Sequence, residues 1–216
     1  MTITVTNHRY LNQYQIEESS TKLIIGTIHP HLVNDFVIDF FYGNVGSFWS
    51  ILSEAFPNRN FNNRDEIINT LKSYNVSITD MISKCSRENE HVTQDSKLFD
   101  LTLNIDSIKN GIIKSKIDTI FFTSRFGKNN AAKLFTKSFD IRYDFNLETS
   151  EFYIPESFFG RKIRCVVLFS PSNNANVGIS KSKSYIKNKS KYEDFKHPIK
   201  QFKIDFYREK FSFFNN

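Results

Sequence analysis

Three short apolar segments, rich in β-branched and aromatic residues, constrain the fold of this chain most strongly. They are KLIIGTI (22–28), IDTIFFTS (117–124) and KIRCVVLFS (162–170), and a Gly, Ser or Pro stands near the end of each. Strands of a parallel sheet have this uninterrupted apolar character because helices cover both of their faces. The three segments therefore predict the central strands of one mostly parallel sheet.

Helical patterns lie between and after these strands. In 46–56 (GSFWSILSEAF) apolar side chains recur every three or four residues, so they share one face of a helix. The segment 63–74 offers Asn63 as an N-cap with acidic residues in the first turn, and 198–211 begins with a proline, which helices favour at their first position. A further helix is predicted over 127–139. Strands alternating with helices indicate an α/β fold around a short, mostly parallel sheet.

Two other segments have weaker patterns. Residues 144–155 alternate between polar and apolar and predict an additional edge hairpin, while the polar stretch from Ser180 to His197 predicts a mobile loop. The chain contains no internal repeat and no linker long enough to divide it. We therefore expect residues 1–216 to form one domain with a basic helical segment, 181–216, at its C-terminal end.

The net charge of +6 is concentrated in that segment. Residues 181–216 contain ten Lys and Arg against four Asp and Glu, so the remainder of the chain is neutral. A basic segment on a neutral body is typical of a protein that binds a polyanion. A solvated helix face is the alternative explanation of the same charge.

Cysteine content and hydropathy limit the class of protein. Cys85 and Cys165 are far apart and lie in or beside apolar runs, so we expect buried free thiols. The N-terminal sequence lacks the charged and apolar regions of a secretory signal, and no segment approaches the ~20 apolar residues that cross a bilayer. These features predict a cytoplasmic, intracellular protein with no membrane partner, and we expect a monomer.

Polar loops follow all three predicted strands. They are GTIHPH (26–31), TSRFG (123–127) and SPSNNAN (170–176). Ligands of open α/β sheets bind in the crevice outside the carboxyl ends of the strands. The sequence therefore predicts a binding site enclosed by these three loops.

The loops and the segments between them resemble the uracil-DNA glycosylase superfamily, particularly its mismatch-specific and hypoxanthine-DNA glycosylase branches. Those proteins have a strand ending in Gly-Ile-Asn-Pro or Gly-Ser-Phe-Pro, then an aromatic pair and Phe-Trp; the counterparts are GTIHP (26–30) and FFYGNVGSFWSIL (40–52). VSITDMISKCSRENEHVTQDSKL (76–98) is similar to the family's Gly-hydrophobic-x-Asp segment with its Arg and Ser/Asp-rich loop. IDTIFFTSRFGKNNAAKLF (117–135) matches a strand, turn and helix, and VVLFSPSNNANVG (166–178) is similar to the closing loop.

This resemblance, which covers residues 22–180, implies a three-layer α/β/α domain. It also implies hydrolysis of the N-glycosidic bond of a deaminated or modified base, such as uracil or hypoxanthine, in double- or single-stranded DNA. Such an enzyme flips the nucleotide out of the base stack. It needs an aromatic ring against the base, a polar group that positions water, and a donor for the leaving anion. No metal or other cofactor is expected.

Candidate catalytic residues follow from the first loop. The family often places its water-positioning residue just before the proline, and His29 occupies that position here, with His31 as a weaker candidate. The loop from Gly26 to Pro30 is one residue longer than the usual Gly-x-x-Pro. A His29 that hydrogen-bonds loop backbone is therefore the alternative.

The aromatic loop supplies the remaining pocket candidates. The hypoxanthine branch has an Asn two positions before Phe-Trp; Gly46 stands there in this chain, and Asn44 lies two residues earlier. Asp39 and Asp35 are alternative water activators or ordinary solvated acids. The residues predicted to contact the base are Thr27, Ile28, Phe41 and Tyr42. One of the two rings is expected to lie in the core, and the polar tip of the tyrosine suits a pocket edge.

Contacts to DNA are predicted from the closing loop and from nearby cations. A Ser-Pro turn presents hydroxyl and N–H groups to phosphates, and the side chains after it enter the gap left by the flipped base. The candidates are Ser170, Pro171, Ser172, Asn173, Asn174, Arg125, Lys181, Lys183 and Lys187. Two other interpretations remain open: a catalytically inactive nucleic-acid-binding protein of the same fold, and an unrelated α/β nucleotide-binding protein.

Overall fold

The computed structural model describes residues 2–34, 36–44, 46–172 and 175–215. The strands are β1 (Thr4–Asn7), β2 (Lys22–Gly26), β3 (Val76–Asp80), β4 (Ile82–Arg87), β5 (Phe99–Leu103), β6 (Thr119–Phe122), β7 (Glu151–Ile154) and β8 (Ile163–Val167). The α-helices are α1 (Phe48–Ala55), α2 (Arg64–Ser73), α3 (Ile105–Lys114), α4 (Ala131–Ser138), α5 (Glu156–Phe159), α6 (Asn176–Ser180), α7 (Lys183–Asn188) and α8 (Pro198–Lys210). Short 3₁₀ helices span Asp95–Lys97, Lys189–Tyr192 and Ser212–Asn215.

A five-stranded sheet with the order β3-β2-β6-β8-β7 forms the centre of the fold. Strands β3, β2, β6 and β8 are mutually parallel, and β7 pairs antiparallel with β8 at one edge. The three predicted central strands are β2, β6 and β8, so this prediction is confirmed. Because they are adjacent and parallel, the loops that follow them all leave the same edge of the sheet.

Helices pack on both faces of this sheet. Ile24 and Phe121 lie in a core shared with α1, α2 and α8, whereas Leu23 and Phe122 lie in a second core with α3 and α4. Successive strand side chains point to opposite faces, which explains why these runs are apolar without alternation. The expected α/β class is confirmed.

The predicted helices all form. Asn63 caps α2, because its side chain accepts a hydrogen bond from the Glu66 backbone N–H. Helix α1 buries Phe48, Trp49 and Leu52 against α8. The Phe-Trp segment is therefore part of the helical core that supports the aromatic loop before it.

A second, three-stranded antiparallel sheet with the order β1-β4-β5 was not predicted. Strands β3 and β4 are separated by Met81 alone, whose N–H donates to the Gly26 carbonyl at 2.9 Å. One continuous extended segment thus passes from one sheet to the other. The direct passage from β3 into β4 places β4, and β1 paired with it, beside the carboxyl end of β2.

The prediction of a mobile loop between Ser180 and His197 is wrong. This stretch contains α7 and the second 3₁₀ helix, with Ser182 capping α7 through the Tyr185 backbone N–H. The rings of Tyr185 and Tyr192 are buried against Phe202 of α8. Two anchoring tyrosines among many lysines are enough to hold the segment, although its mean hydropathy is low. The predicted edge hairpin corresponds to β7 and an isolated bridge between Asn146 and Glu151.

Part of the basic charge near the C-terminus is paired with acids of the fold. Lys210 is buried and lies 3.0 Å from Glu151 of β7, and the exposed Lys200 lies 2.7 Å from Glu54 of α1. Lys181, Lys183 and Lys187 are exposed on and beside α7. Cys85 and Cys165 are buried free thiols, as predicted. None of the helices in the described ranges combines the length and apolar character needed to cross a bilayer.

Candidate active site

The carboxyl ends of β2, β3 and β6 meet around Gly26. The Tyr42 hydroxyl reaches this point from the aromatic loop and lies 2.9 Å from Thr123 Oγ1 and 3.5 Å from Asp80 Oδ1. A Cβ atom on Gly26 would overlap both the Tyr42 hydroxyl and Asp80 Oδ1. Only glycine at the end of β2 leaves room for these two groups to converge.

The backbone of the aromatic loop is fixed by the helix that follows it. Tyr42 has a left-handed conformation with φ 56°, which is uncommon for a bulky residue. Trp49 Nε1 donates to the Phe41 carbonyl at 2.6 Å, and the Ser47 hydroxyl donates to the Tyr42 carbonyl. Burial raises the pKa of Tyr42 well above its ordinary value, so the phenol is neutral at physiological pH. The loop therefore presents a fixed, uncharged hydroxyl to the strand ends.

Asp80 also forms a buried pair with His8. His8 Nε2 lies 2.8 Å from Asp80 Oδ2, and His8 Nδ1 accepts from the Tyr10 backbone N–H at 3.1 Å. Since a backbone N–H can only donate, Nδ1 is unprotonated and the imidazole proton lies on Nε2, facing the carboxylate. Asp80 thus receives hydrogen bonds from both a histidine and a tyrosine.

A second acid, Asp95, lies at the same edge. Its Oδ2 accepts from the Thr27 hydroxyl at 2.9 Å, and that hydroxyl lies 3.2 Å from Ser124 Oγ. The Asn129 side chain donates to the Asp95 carbonyl at 3.0 Å and fixes the backbone there. Within the described residues, Asp95 Oδ1 has no hydrogen-bond partner, and the residue is half-buried. One carboxylate oxygen is therefore oriented, and the other is available to water or a ligand.

Burial is the main reason why the pKa of Asp95 is raised to about 6. The negative charge of Asp80 raises the pKa further, while the hydrogen bond from Thr27 and the charge of Arg87 oppose the shift. A carboxyl group with a pKa in this range exchanges protons readily near neutral pH, which is the property required of a general base.

His29, the predicted water-positioning residue, lies at this edge with both ring nitrogens engaged. Its Nε2 accepts from the Arg9 backbone N–H at 2.9 Å, and its Nδ1 donates to the Pro30 carbonyl at 2.6 Å. The residue is buried, and burial lowers its pKa to about 4. The geometry agrees with the alternative interpretation, a histidine that holds loop backbone. His31 likewise bonds the Thr6 hydroxyl, at 3.1 Å.

The other loop candidates are not brought together. Phe41 is buried in the core against Tyr10 and has no free face for a base. Asp39 is exposed and accepts from the Tyr10 hydroxyl at 3.0 Å, away from the strand ends. Asn44 is exposed and lines a cavity of about 330 Å³ beside α1, together with Tyr42. Ile28 is half-buried beside Thr27, and Asp35 lies outside the described residues.

A larger cavity, of about 520 Å³, lies at the opposite end of the sheet. It is lined by residues that include Ser20, Asn75 and Val76, which are at the amino ends of β2 and β3. In the part of the chain that the structure describes, no group of three or more His, Cys, Asp or Glu side chains is placed to hold a metal ion.

Side chains of helix α8 donate hydrogen bonds to the start of the closing loop. The Tyr207 hydroxyl donates to the Phe169 carbonyl at 2.9 Å, and Lys203 Nζ donates to the Pro171 and Ser172 carbonyls at 3.2 and 3.0 Å. Ser170 Oγ accepts from the Ser172 N–H at 3.3 Å, which makes a compact turn. Burial lowers the pKa of Lys203 to about 8. Asn173 and Asn174 lie outside the described residues.

The predicted cations lie on the β8 side of the site. The Arg125 guanidinium stands 4.2 Å from the ring centre of Phe169 and donates to Ser150 Oγ at 3.2 Å. Lys181, Lys183 and Lys187 are exposed on and beside α7. The edge therefore has an acidic half, with Asp80 and Asp95, and a basic half.

Several residues of the site were not singled out from the sequence. Thr123, Ser124 and Asp80 lie directly at strand ends, a position that could have identified them. Asp95 lies in the Ser/Asp-rich stretch whose likeness to the family was noted, but no chemistry was assigned to it. No sequence pattern identifies His8 as a site residue. Its partner Asp80 is 72 positions away, and their contact depends on the three-stranded sheet, which was not predicted.

A pH-dependent stability difference should distinguish a structural His29. Its folded pKa of about 4 lies below the ordinary value of 6.5, so protonation favours the unfolded chain. The stabilisation is complete above pH 6.5 and is lost as the pH falls towards 4. Between pH 7 and pH 5 the wild type should lose about 2 kcal/mol that the His29→Gln variant does not lose.

Urea unfolding at the two pH values measures this difference directly. His91→Gln, at an exposed position, should keep the pH dependence of the wild type. Identical pH dependence in wild type and His29→Gln would show that the imidazole is not held neutral by burial.

Comparison with known proteins adds no assignment: no family model matches the chain, and no curated protein is significantly similar to it. The residues at the strand ends therefore provide the functional evidence on their own.

Proposed function

We propose that this protein is a DNA N-glycosylase, a metal-independent hydrolase that removes a deaminated or modified base flipped out of DNA. The observation that carries the proposal is Asp95, an oriented carboxylate of raised pKa at the edge where three strand-end loops converge. Helices on both faces of a mostly parallel sheet support a three-layer, uracil-DNA glycosylase-like arrangement. The sequence likeness of the loops supports the same family.

In this proposal Asp95 takes the role first given to His29. Its free oxygen accepts a proton from water as the water oxygen attacks C1′ of the extruded nucleotide. The bond between C1′ and the base nitrogen breaks, and the electron pair leaves with the base. The sugar acquires oxocarbenium character at that moment, and the charge of Asp80 stabilises it in this proposal.

The surrounding hydroxyls orient the acids and the base. Thr27 holds Asp95 Oδ2, and Thr27 and Ile28 form the floor beneath the base in this proposal. The neutral hydroxyl of Tyr42 fixes Asp80 from the side of the aromatic loop. The closing loop, held by Lys203, and the cations near it contact the DNA backbone.

The direct test is release of a free base. Purified protein is incubated with oligonucleotides that contain uracil, hypoxanthine, xanthine or a modified pyrimidine, in single- and double-stranded form. Abasic sites are then cleaved with alkali, and the released base is identified by mass. We expect at least one substrate to be converted, without strand cleavage before alkali. If every oligonucleotide in the panel remains intact, the proposed activity is wrong for those bases.

Two observations favour a second candidate, a non-catalytic DNA-binding protein of the same fold. Both ring nitrogens of His29 are hydrogen-bonded to backbone, and the lysines around α7 are exposed. This candidate predicts DNA binding that weakens steeply between about 50 and 200 mM salt, with no free base formed. The base-release assay separates the two candidates.

A further inference from the structure

Arg125 is a largely buried cation with no acidic partner. Among the described residues no carboxylate lies within ion-pair distance of its guanidinium, and its Nε is buried without a hydrogen-bond acceptor. The contacts that it makes are the rings of Phe169 and Phe145 and the neutral hydroxyl of Ser150. Burial without a compensating charge lowers its pKa. Burial of a guanidinium group without a counter-charge costs free energy, unless a bound anion pairs with it.

Contacts with neighbouring strands hold Arg125 in place, so it is not a flexible surface side chain. Arg125 lies three residues beyond β6, and its guanidinium is packed on one face by Phe169, at the end of β8. Ser150 is buried at the start of β7, where its carbonyl accepts from the Val167 N–H at 2.8 Å. Residues at the ends of three strands therefore fix the plane of the guanidinium group. One of its N–H edges has no acceptor among the described residues.

The loop before Ser150 is attached to the element that carries the exposed lysines. Lys187 Nζ lies 3.2 Å from Glu148 Oε1, and the Ser184 hydroxyl donates to the Leu147 carbonyl. Lys181 and Lys183 are exposed on and beside α7. The residue that accepts from Arg125 is thus linked through its own loop to a lysine-rich helix.

We propose that Arg125 binds a phosphate group of the nucleic-acid backbone, next to the nucleotide that enters the site. The donors of arginine match phosphate oxygens, and the terminal Nη groups supply them in this proposal, because Nε is enclosed by the protein. This inference rests on the proposed function for the position of the nucleotide. The phosphate contact itself is testable without base release.

The experiment uses a single-stranded oligonucleotide that contains only ordinary bases. Its affinity for the wild type, Arg125→Gln and Arg125→Lys is measured by fluorescence anisotropy at several salt concentrations. Lys114→Gln, an exposed charge on α3, is the control for net charge. Melting temperatures are recorded for all variants.

Arg125→Gln should bind roughly tenfold more weakly, and its slope of log affinity against log salt should be smaller by about 0.7, one phosphate contact. Arg125→Lys should recover the slope but not the full affinity, since an ammonium ion lacks the fork. Lys114→Gln should match the wild type. The melting temperature of Arg125→Gln should not fall, because the substitution breaks no ion pair and removes an uncompensated charge from a partly buried position.

Two results would overturn the inference. Unchanged affinity and slope in Arg125→Gln would exclude a phosphate contact. A lower melting temperature with unchanged DNA affinity would assign the guanidinium a structural role. Since the oligonucleotide has no excisable base, failure of the glycosylase proposal leaves this measurement intact.

Discussion

Replacement of Asp95 by Asn is expected to abolish base release in a protein that remains folded. Asn has nearly the same shape and can still accept the hydrogen bond from Thr27, but it cannot take a proton from water. Removal of a positioned general base typically lowers the rate about 10² to 10⁴-fold. Single-turnover cleavage of the best substrate in the panel measures the loss.

The pH dependence of the wild type provides a second signature of the same residue. Only the ionised carboxylate accepts a proton, so the rate should be constant above the pKa of about 6 and fall about tenfold per pH unit below it. The exposed Asp39 serves as the matched control, and Asp39→Asn should keep both the rate and the profile. A full rate in Asp95→Asn would remove this residue from the mechanism.

The same substitution should raise stability at alkaline pH. The folded pKa of Asp95 lies above the ordinary value of 3.8, so ionisation favours the unfolded chain. The resulting destabilisation builds up as the pH rises from about 3.8 to about 6 and is complete above it. Asp95→Asn should therefore melt at a higher temperature than the wild type at pH 8, with a smaller gain at pH 5. A gain in stability combined with a loss of activity is typical of a group retained for function.

The fold was predictable where burial on both faces gives a strand an uninterrupted apolar sequence. Strands β2, β6 and β8 are buried on both faces, so their composition alone identified them as central strands of one sheet. The second sheet was missed because β1 and β5 are largely exposed or half-buried, and because β4 and β5 adjoin other elements without a turn signal. The segment around α7 was misjudged because only Tyr185 and Tyr192 anchor it.

The site was predictable in location but not in its chemistry. Parallel order fixes which loops meet, and Thr27, Tyr42 and Arg125 do lie on that edge. Which group is free to react depends on partners distant in sequence. His29 is engaged by the backbone of Arg9, and Asp95 is oriented by Thr27, 68 positions away. Such pairings arise from tertiary packing, and no local pattern encodes them.

Gly26→Ala is expected to disrupt the site and to lower stability substantially. Besides its overlap with the Tyr42 hydroxyl and Asp80 Oδ1, the new methyl group would lie 2.7 Å from Tyr42 Cζ. Neither neighbour can move cheaply, since Trp49 and Ser47 fix the aromatic loop and His8 holds Asp80. Overpacking of this kind costs about 1 to 3 kcal/mol, and base release should fall with it.

Chemical denaturation and the base-release assay measure the two effects. Gly178→Ala is the matched control, because a Cβ atom there meets nothing within 4 Å. The double variant Gly26→Ala with Tyr42→Phe should recover part of the stability by removing the overlapping hydroxyl, but not all of it, since the Asp80 overlap remains. If Gly26→Ala were as stable as Gly178→Ala, the hydroxyl and the carboxylate would not converge at the end of β2. The geometry assigned to the site would then be wrong.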